Sequence, residues 1–197
     1  MKIEKVFGHD IIRIKCPNTE FYKNKELTSS LDRIFDLPEI KKFNYSRENK
    51  NGNGLTFSDH PYLRLTNLPG AQRLAGWVAN MMLDAHPDGG GIDFIRSWSN
   101  RIFQGCSGRV HNHLGYGHVD IVGIFYVDVP TTGAELVFVK NGEKGKTHLD
   151  YDPADLYYIT PHQGELILHD PGLYHTVAEH TEDITRTVFV FDAVYTG

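Results

Sequence analysis

Short runs of alternating hydrophobic and polar residues fill the chain after residue 92. These runs are rich in β-branched and aromatic side chains and are bounded by Gly, Pro or Asp, which is typical of β-strands. They predict strands near 93–103, 108–113, 119–129, 134–140, 156–160, 164–169, 174–179 and 185–194. Because no helical pattern separates these strands, we expect a jelly roll or barrel rather than a parallel sheet.

Two stretches in the first half of the chain have apolar residues at helical spacing. The first stretch ends before Pro38, which cannot continue a helix, and its apolar residues are Leu27, Leu31, Ile34 and Phe35. The second has Asn67 as a candidate N-cap, and its apolar residues are Leu74, Trp77, Val78, Met81 and Met82. Both patterns predict helices that pack on one face of the sheet.

The chain contains no sign of a second domain. Residues 2–15 alternate loosely and predict an edge strand or a hairpin, while the polar run 49–54 is typical of a loop. No linker or repeat divides the 197 residues, a length that suits one domain. We therefore expect a single domain over 1–197, in which the strand and helices of 1–92 support a β core formed by 93–197.

Composition restricts the partners and the location of the protein. A net charge of −5 and an isoelectric point near 6.1 argue against nucleic acid and anionic membranes. No apolar run approaches the roughly 20 residues that cross a bilayer, and Met1–Val6 has no signal-peptide character. These features favour a cytoplasmic protein in which Cys16 and Cys106 are free thiols. They leave the oligomeric state open, a homodimer included.

Histidines carry the candidate chemistry. His111 and His113 stand two residues apart on a predicted strand, so both side chains should point to one face. His175 follows a later strand and the turn Asp170–Gly172. Neutral imidazole is the commonest protein ligand of transition metals, and three histidines on adjacent strands can form one side of a metal site. A His-x-His pair alone is weak support, since such pairs are common on solvent-facing strands.

Arg186 is a second unusual residue, because it opens the apolar run Thr187–Phe191. A guanidinium that enters an apolar strand is costly unless it has a partner. A carboxylate held by two hydrogen bonds is the natural partner. That carboxylate could belong to a ligand, or to Asp170 or Asp192 in an internal salt bridge.

Taken together, these motifs resemble those of the iron(II)- and 2-oxoglutarate-dependent dioxygenases, in particular the small oxygenases related to prolyl hydroxylases. The resemblance covers 93–195, and its motifs are Ser97–Asn100, His111–His113, Gly123–Tyr126, the segment from Gly164 to His175, and Arg186. It implies a double-stranded β-helix, which is a jelly-roll or cupin-like fold. It also implies Fe(II), 2-oxoglutarate as cosubstrate, dioxygen, and hydroxylation of a C–H bond in a small molecule or a peptide, prolyl side chains included.

The resemblance also implies roles for particular residues. His111 and His175 match the two histidines that hold iron, and His113 is kept as the third ligand although the family usually has Asp or Glu there. Arg186 and Tyr126 match the residues that bind the far carboxylate of 2-oxoglutarate.

A second His-x-Asp/Glu-like motif, His118 to Asp120, competes with this choice. In the family, about ten residues separate the metal motif from the glycine of the next strand. His113 lies ten residues before Gly123, whereas Asp120 lies only three before it. The spacing favours His113, and Asp120 stays as an alternative ligand or as a residue that orients an imidazole.

Two other functions stay open at this point. One is a cupin-like dioxygenase or isomerase that uses three histidines without 2-oxoglutarate, and such an enzyme would not need Arg186. The other is a non-enzymatic jelly-roll binding module, in which the histidines are incidental. His169, one residue past an apolar run, is expected to line the pocket rather than to bind metal.

Overall fold

Two antiparallel sheets form the body of the protein in the computed structural model, which describes residues 1–41, 54–58, 60–86 and 90–197. The strands are β1 (Lys2–Val6), β2 (His9–Lys15), β3 (Leu55–Thr56), β4 (Gly91–Ile102), β5 (Ile121–Asp128), β6 (Leu136–Val139), β7 (Leu156–Ile159), β8 (Glu165–His169), β9 (His175–Val177) and β10 (Arg186–Thr196). The helices are α1 (Lys25–Phe35) and α2 (Gln72–Ala85). The loop predicted at 49–54 lies outside the described residues, apart from Gly54.

The larger sheet has the strand order β1-β2-β8-β5-β10-β4-β3, and the smaller sheet has the order β7-β6-β9. The sheets face each other: Phe138 of β6 packs edge-on against His169 of β8, with ring centroids 5.4 Å apart. Every strand pair is antiparallel. This arrangement confirms the expected mainly β, jelly-roll type of architecture.

The predicted hairpin over 2–15 is confirmed. β1 and β2 pair through a tight turn at Phe7 and Gly8, which both have positive φ angles. β2 then pairs with β8, so the hairpin extends one edge of the larger sheet. The N-terminal segment therefore contributes strands to the sheet as well as helices that support it.

Both predicted helices are present, but the second begins later than expected. Asn67 lies in a short 3₁₀ turn, and α2 begins at Gln72. Gly70 lies between the two with φ at +82°, a conformation that no right-handed helix can include. Leu74, Val78 and Met82 of α2 are buried against the sheet.

One predicted strand is wrong. Residues 108–113 form no regular strand: His111 makes an isolated bridge with His175, and Gly108 donates its backbone N–H to the carbonyl of Val177. His113 has φ −105° and ψ 5°, outside the β region, because the chain turns there into the 3₁₀ segment Leu114–Tyr116. The other seven predicted strands after residue 92 are observed, with ends that differ by a few residues.

The inner face of the larger sheet positions the polar residues of interest. Along β10, the residues Arg186, Val188, Val190 and Asp192 alternate onto this face, in register with Ile102 to Arg96 of β4. All four are buried. The two charged residues therefore lie at opposite ends of one row, six residues or about 20 Å apart at the usual rise of a strand.

No helix in the described part of the chain is long and apolar enough to cross a membrane. Cys16 is buried and Cys106 is partly exposed, and both are free thiols.

Candidate active site

His111, His113 and His175 come together between the two sheets. One ring nitrogen from each lies within 4.8 Å of the others. Backbone hydrogen bonds hold this arrangement: His111 and His175 exchange two N–H···O bonds of 3.0 and 2.9 Å, and the N–H of His113 donates to the carbonyl of Pro171. The histidines thus share a face without the regular strand that the sequence predicted. Backbone hydrogen bonds to Pro171 and to the first residue of β9 hold them in place.

Hydrogen bonds fix which nitrogen of each ring is available. His111 Nδ1 lies 2.7 Å from the carbonyl oxygen of Arg109, and His175 Nδ1 lies 3.1 Å from that of Leu173. A carbonyl oxygen only accepts, so a neutral ring must carry its hydrogen on Nδ1 and keep the lone pair on Nε2. This tautomer is the one that binds a metal through Nε2.

His113 is held by a carboxylate instead. Its Nδ1 lies 2.5 Å from Oδ1 of Asp192, which is fully buried. The other carboxylate oxygen of Asp192 forms an ion pair with Arg96 on β4. The ring of Trp98 stacks on that of His113, with centroids 5.8 Å apart and planes 22° apart. The Nε2 atom of His113 is buried and has no hydrogen-bond partner in the described part of the chain.

Burial also keeps the rings neutral. Together with the neighbouring histidines, it lowers the pKa of His111 to about 4 and that of His175 well below 6.5. The cause is the loss of hydration, which disfavours the imidazolium form. At neutral pH both rings therefore present lone pairs to a shared point, as metal binding requires.

His169 lies beside this cluster and lines its wall. Its ring centroid is 4.7 Å from that of His175, and its Nδ1 lies 2.8 Å from the carbonyl oxygen of Asp170. Its Nε2 is buried without a hydrogen-bond partner among the described residues. It does not belong to the group of nitrogens within 4.8 Å of one another.

The competing motif from His118 to Asp120 lies elsewhere. The Nε2 of His118 is 2.8 Å from Oδ1 of Asp120, and the His118 side chain is 80% exposed. The other oxygen of Asp120 accepts the backbone N–H of Tyr195. The structure therefore brings His113, and not Asp120, beside His111 and His175.

Arg186 lies inside the protein next to Tyr126. It is 1% exposed, and its guanidinium carbon is 5.1 Å from the centroid of the tyrosine ring. Nε and Nη1 of Arg186 and the hydroxyl of Tyr126 are buried, with no hydrogen-bond partner in the ranges that the structure covers. Burial lowers the pKa of the guanidinium and raises that of Tyr126 to about 12, so the hydroxyl stays protonated and can donate.

The alternative of an internal salt bridge to Arg186 is wrong for both candidate carboxylates. Asp192 pairs with Arg96 and His113. Oδ1 of Asp170 accepts a hydrogen bond from the backbone N–H of Gly172, and its Oδ2 lies 3.4 Å from Nδ1 of His9. A buried guanidinium without a counter-charge is destabilising by several kcal/mol, so this end of the row fits an anionic ligand.

A cleft of about 440 Å³ opens beside the histidines. One wall is β4, which contributes Trp98 and Asn100, and the other is the segment that carries His111. Arg109 and Lys144 also line it. The cleft gives a molecule from solvent a route to the histidine cluster.

Comparisons with known proteins agree with this geometry. Residues 96–192 match the family model described as "Putative 2OG-Fe(II) oxygenase". This stretch includes all three clustered histidines, Tyr126 and Arg186. No curated protein matches the chain.

Three solved structures illustrate the likeness of the fold. An oxidoreductase of the 2OG-Fe(II) oxygenase family from Burkholderia pseudomallei has 15% identity and a TM-score of 0.52, over 66% of this chain and 58% of that one. HygX from Streptomyces hygroscopicus, with nickel, 2-oxoglutarate and hygromycin B bound, has 12% identity and a TM-score of 0.59, over 94% of this chain and 83% of that one. A Pseudomonas putida prolyl-4-hydroxylase has 10% identity and a TM-score of 0.54, over 96% of this chain and 94% of that one.

This chain thus spans less than two thirds of the Burkholderia protein. At such identities the likeness shows the fold alone, and it confirms the double-stranded β-helix.

Proposed function

Residues 96–192 make this chain a member of the 2OG-Fe(II) oxygenase family, and we propose that it is an Fe(II)- and 2-oxoglutarate-dependent oxygenase. In this proposal it hydroxylates a C–H bond of a small molecule or a peptide. The observation that carries the proposal is a buried, unpaired Arg186 next to Tyr126, on the same inner face as a cluster of three histidines.

The three histidines would hold iron through their Nε2 atoms. His111 and His175 have the required tautomer because their Nδ1 atoms face carbonyl oxygens. Imidazole nitrogens suit iron and several neighbouring metals, so the donor set fits the ion without selecting it strictly. When bound, iron and the cosubstrate supply the oxidising chemistry, and the protein supplies binding, orientation and a dry environment.

Arg186 and Tyr126 would bind the far carboxylate of 2-oxoglutarate. The guanidinium can donate two hydrogen bonds to one carboxylate, and the tyrosine hydroxyl can donate another. Both groups are buried, so a bound carboxylate would relieve the charge that Arg186 carries alone. Dioxygen would be the oxidant that this chemistry consumes.

The substrate would enter through the cleft beside His111 and His113. The likeness to a prolyl-4-hydroxylase favours a peptide, and the likeness to a structure that contains hygromycin B favours a small molecule. The cleft volume of about 440 Å³ fits either a compact small molecule or one or two side chains of a peptide.

A three-histidine dioxygenase or isomerase without 2-oxoglutarate is the second candidate. His113 favours it, because a histidine stands where the larger family has a carboxylate. Arg186 argues against it, because without 2-oxoglutarate this buried guanidinium would have no anionic ligand to pair with.

Succinate formation separates these two candidates. The iron-loaded protein should convert 2-oxoglutarate to succinate slowly without substrate, and Arg186→Met should abolish that conversion. Arg73→Met, which changes an exposed arginine on α2, is the matched control. Conversion that is absent from the wild type, or that is equal in Arg186→Met, would contradict the proposal.

A further inference from the structure

The geometry points to Asp192 as a positioning residue that supplies, from behind His113, the negative charge that the three metal ligands lack. This inference rests on the proposed metal site and extends it to Asp192, which was expected from the sequence only as a partner for Arg186. It would explain how a histidine can stand where a carboxylate ligand is expected.

Both oxygens of Asp192 are engaged in the site. One lies 2.5 Å from Nδ1 of His113, and the other pairs with Arg96, its neighbour in register on β4. The pairing of β10 with β4 is irregular between Asp192 and Ala193. On β10, Asp192 continues the regular alternation of Arg186 and Val188, so its carboxylate points to the inner face and meets the histidine cluster.

Only one of the three clustered histidines has a charged group behind its ring. Among the hydrogen bonds of the described residues, the Nδ1 atoms of His111 and His175 meet only main-chain carbonyls, whereas that of His113 meets a carboxylate. Three neutral imidazoles give no charge compensation to a divalent cation. A carboxylate behind one imidazole raises the basicity of that ligand and fixes its orientation.

Arg96 and Trp98 make this arrangement rigid. Arg96 binds the second oxygen of Asp192, and its guanidinium carbon lies 5.1 Å from the centroid of the Trp98 ring. Trp98 in turn stacks on His113. Asp192 therefore lies in a closed set of contacts that ends at the metal-facing nitrogen of His113.

Removing the charge alone tests the inference. Asp192→Asn keeps an oxygen that can accept from Nδ1 of His113 but loses the negative charge. We expect metal affinity to fall by about 10- to 100-fold, the usual effect of losing such an outer carboxylate. The measurement is Co(II) titration of metal-free, tag-free protein, together with the absorption spectrum of the bound Co(II), which reports the ligand field directly.

Asp120→Asn is the matched control. Asp120 also accepts a hydrogen bond from a ring nitrogen of a histidine and from a backbone N–H, but it lies outside the cluster. Its substitution should leave both the Co(II) affinity and the spectrum unchanged.

Moving the carboxylate gives a sharper test. His113→Asp puts a carboxylate among the ligands and removes the imidazole through which Asp192 acts. In that background Asp192→Asn should therefore change the Co(II) affinity by less than about threefold, whereas beside His113 it should lower the affinity by about 10- to 100-fold. An equally large loss in both backgrounds would overturn the inference.

The wild type offers a test that needs no variant. The Nδ1 proton of His113 should give a far-downfield proton resonance, as expected for a short bond to a carboxylate, and it should persist when Zn(II) binds. Absence of that resonance from folded protein would overturn the inference, as would unchanged Co(II) affinity and spectrum in Asp192→Asn. A wild type that binds no Co(II) would instead overturn the metal site itself, before any variant is compared.

Discussion

The two charged residues on the inner face of β10 have opposite surroundings. Asp192, at one end, uses both carboxylate oxygens within the protein. Arg186, at the other end, leaves two guanidinium nitrogens without a hydrogen-bond partner in the described structure. The buried charge of Asp192 has its partners within the folded protein, whereas the buried charge of Arg186 gains a partner only when an anion binds.

This difference has a physical meaning. A buried ion pair with good geometry roughly offsets its own desolvation, whereas an unpaired buried charge is strongly destabilising. A fold that keeps Arg186 unpaired therefore sacrifices stability for binding, as functional sites commonly do. At the histidine end the tautomers and orientations are set before any metal arrives.

The largest expected effect is at the histidine end. His175→Ala removes one of three proposed ligands, so metal affinity should fall by more than the roughly 100-fold upper range seen for outer-shell changes. Calorimetric titration with Ni(II) measures it, and His9→Ala on the surface is the control. A loss below tenfold would mean that His175 is not a ligand.

Arg186→Met should weaken the binding of 2-oxoglutarate and, at the same time, stabilise the ligand-free protein. Affinity for 2-oxoglutarate should fall by at least about 30-fold, because truncating one partner of a buried charge pair costs about 2–5 kcal/mol. The ligand-free protein should become more stable by about 1–4 kcal/mol, since an unpaired charge is replaced by an apolar side chain. At about 2–4 °C per kcal/mol for a chain of this size, Tm should rise by several degrees.

Metal affinity is the internal control for Arg186→Met and should not change. A lower Tm for the ligand-free variant would show that Arg186 already has a partner that stabilises the fold.

Tyr126→Phe should have a smaller effect at the same end. It removes one hydrogen bond to a charged group, worth about 1.5–3 kcal/mol, so the dissociation constant of 2-oxoglutarate should rise by about 10- to 150-fold. Because burial raises the pKa of Tyr126 to about 12, the wild-type hydroxyl should keep donating throughout the neutral and mildly alkaline range. Equal affinity in variant and wild type would remove Tyr126 from the site.

His169→Phe should have the smallest effect. A flat apolar ring can fill the same wall against Phe138 and His175. Metal affinity should stay within about threefold, because His169 does not belong to the group of nitrogens that face one another in the cluster. A much larger drop in metal affinity would make His169 a fourth ligand, which titration with Co(II) and its spectrum would reveal.

The sequence predicted the histidine cluster better than it predicted the local structure that forms it. His111 and His113 do share a face with His175, but an irregular segment and a single bridge bring them together. The spacing of the histidines still predicted their cluster correctly, because more than one backbone conformation can bring the two side chains of a His-x-His pair to one site. Their role as metal ligands stays a prediction.

The contacts of Asp192 could not be predicted from the sequence. They depend on the register of β10 against β4 and on the path of the segment that carries His113, and no local pattern sets either. The sequence offered Asp192 only as a partner for Arg186, whereas Arg96 and His113 bind it. The start of α2 was missed for a similar reason, because Asn67 has the right residue type for a cap but Gly70 interrupts the helix.

Calorimetric titration of 2-oxoglutarate into the protein, with and without Ni(II), tests most directly whether the two ends of β10 act together. We predict that the nickel-loaded wild type binds one 2-oxoglutarate per chain, that the metal-free protein binds it far more weakly, and that nickel-loaded Arg186→Met binds it at least about 30-fold more weakly. Binding that is absent from the nickel-loaded wild type, or that is indifferent to both the metal and Arg186, would contradict the proposed site.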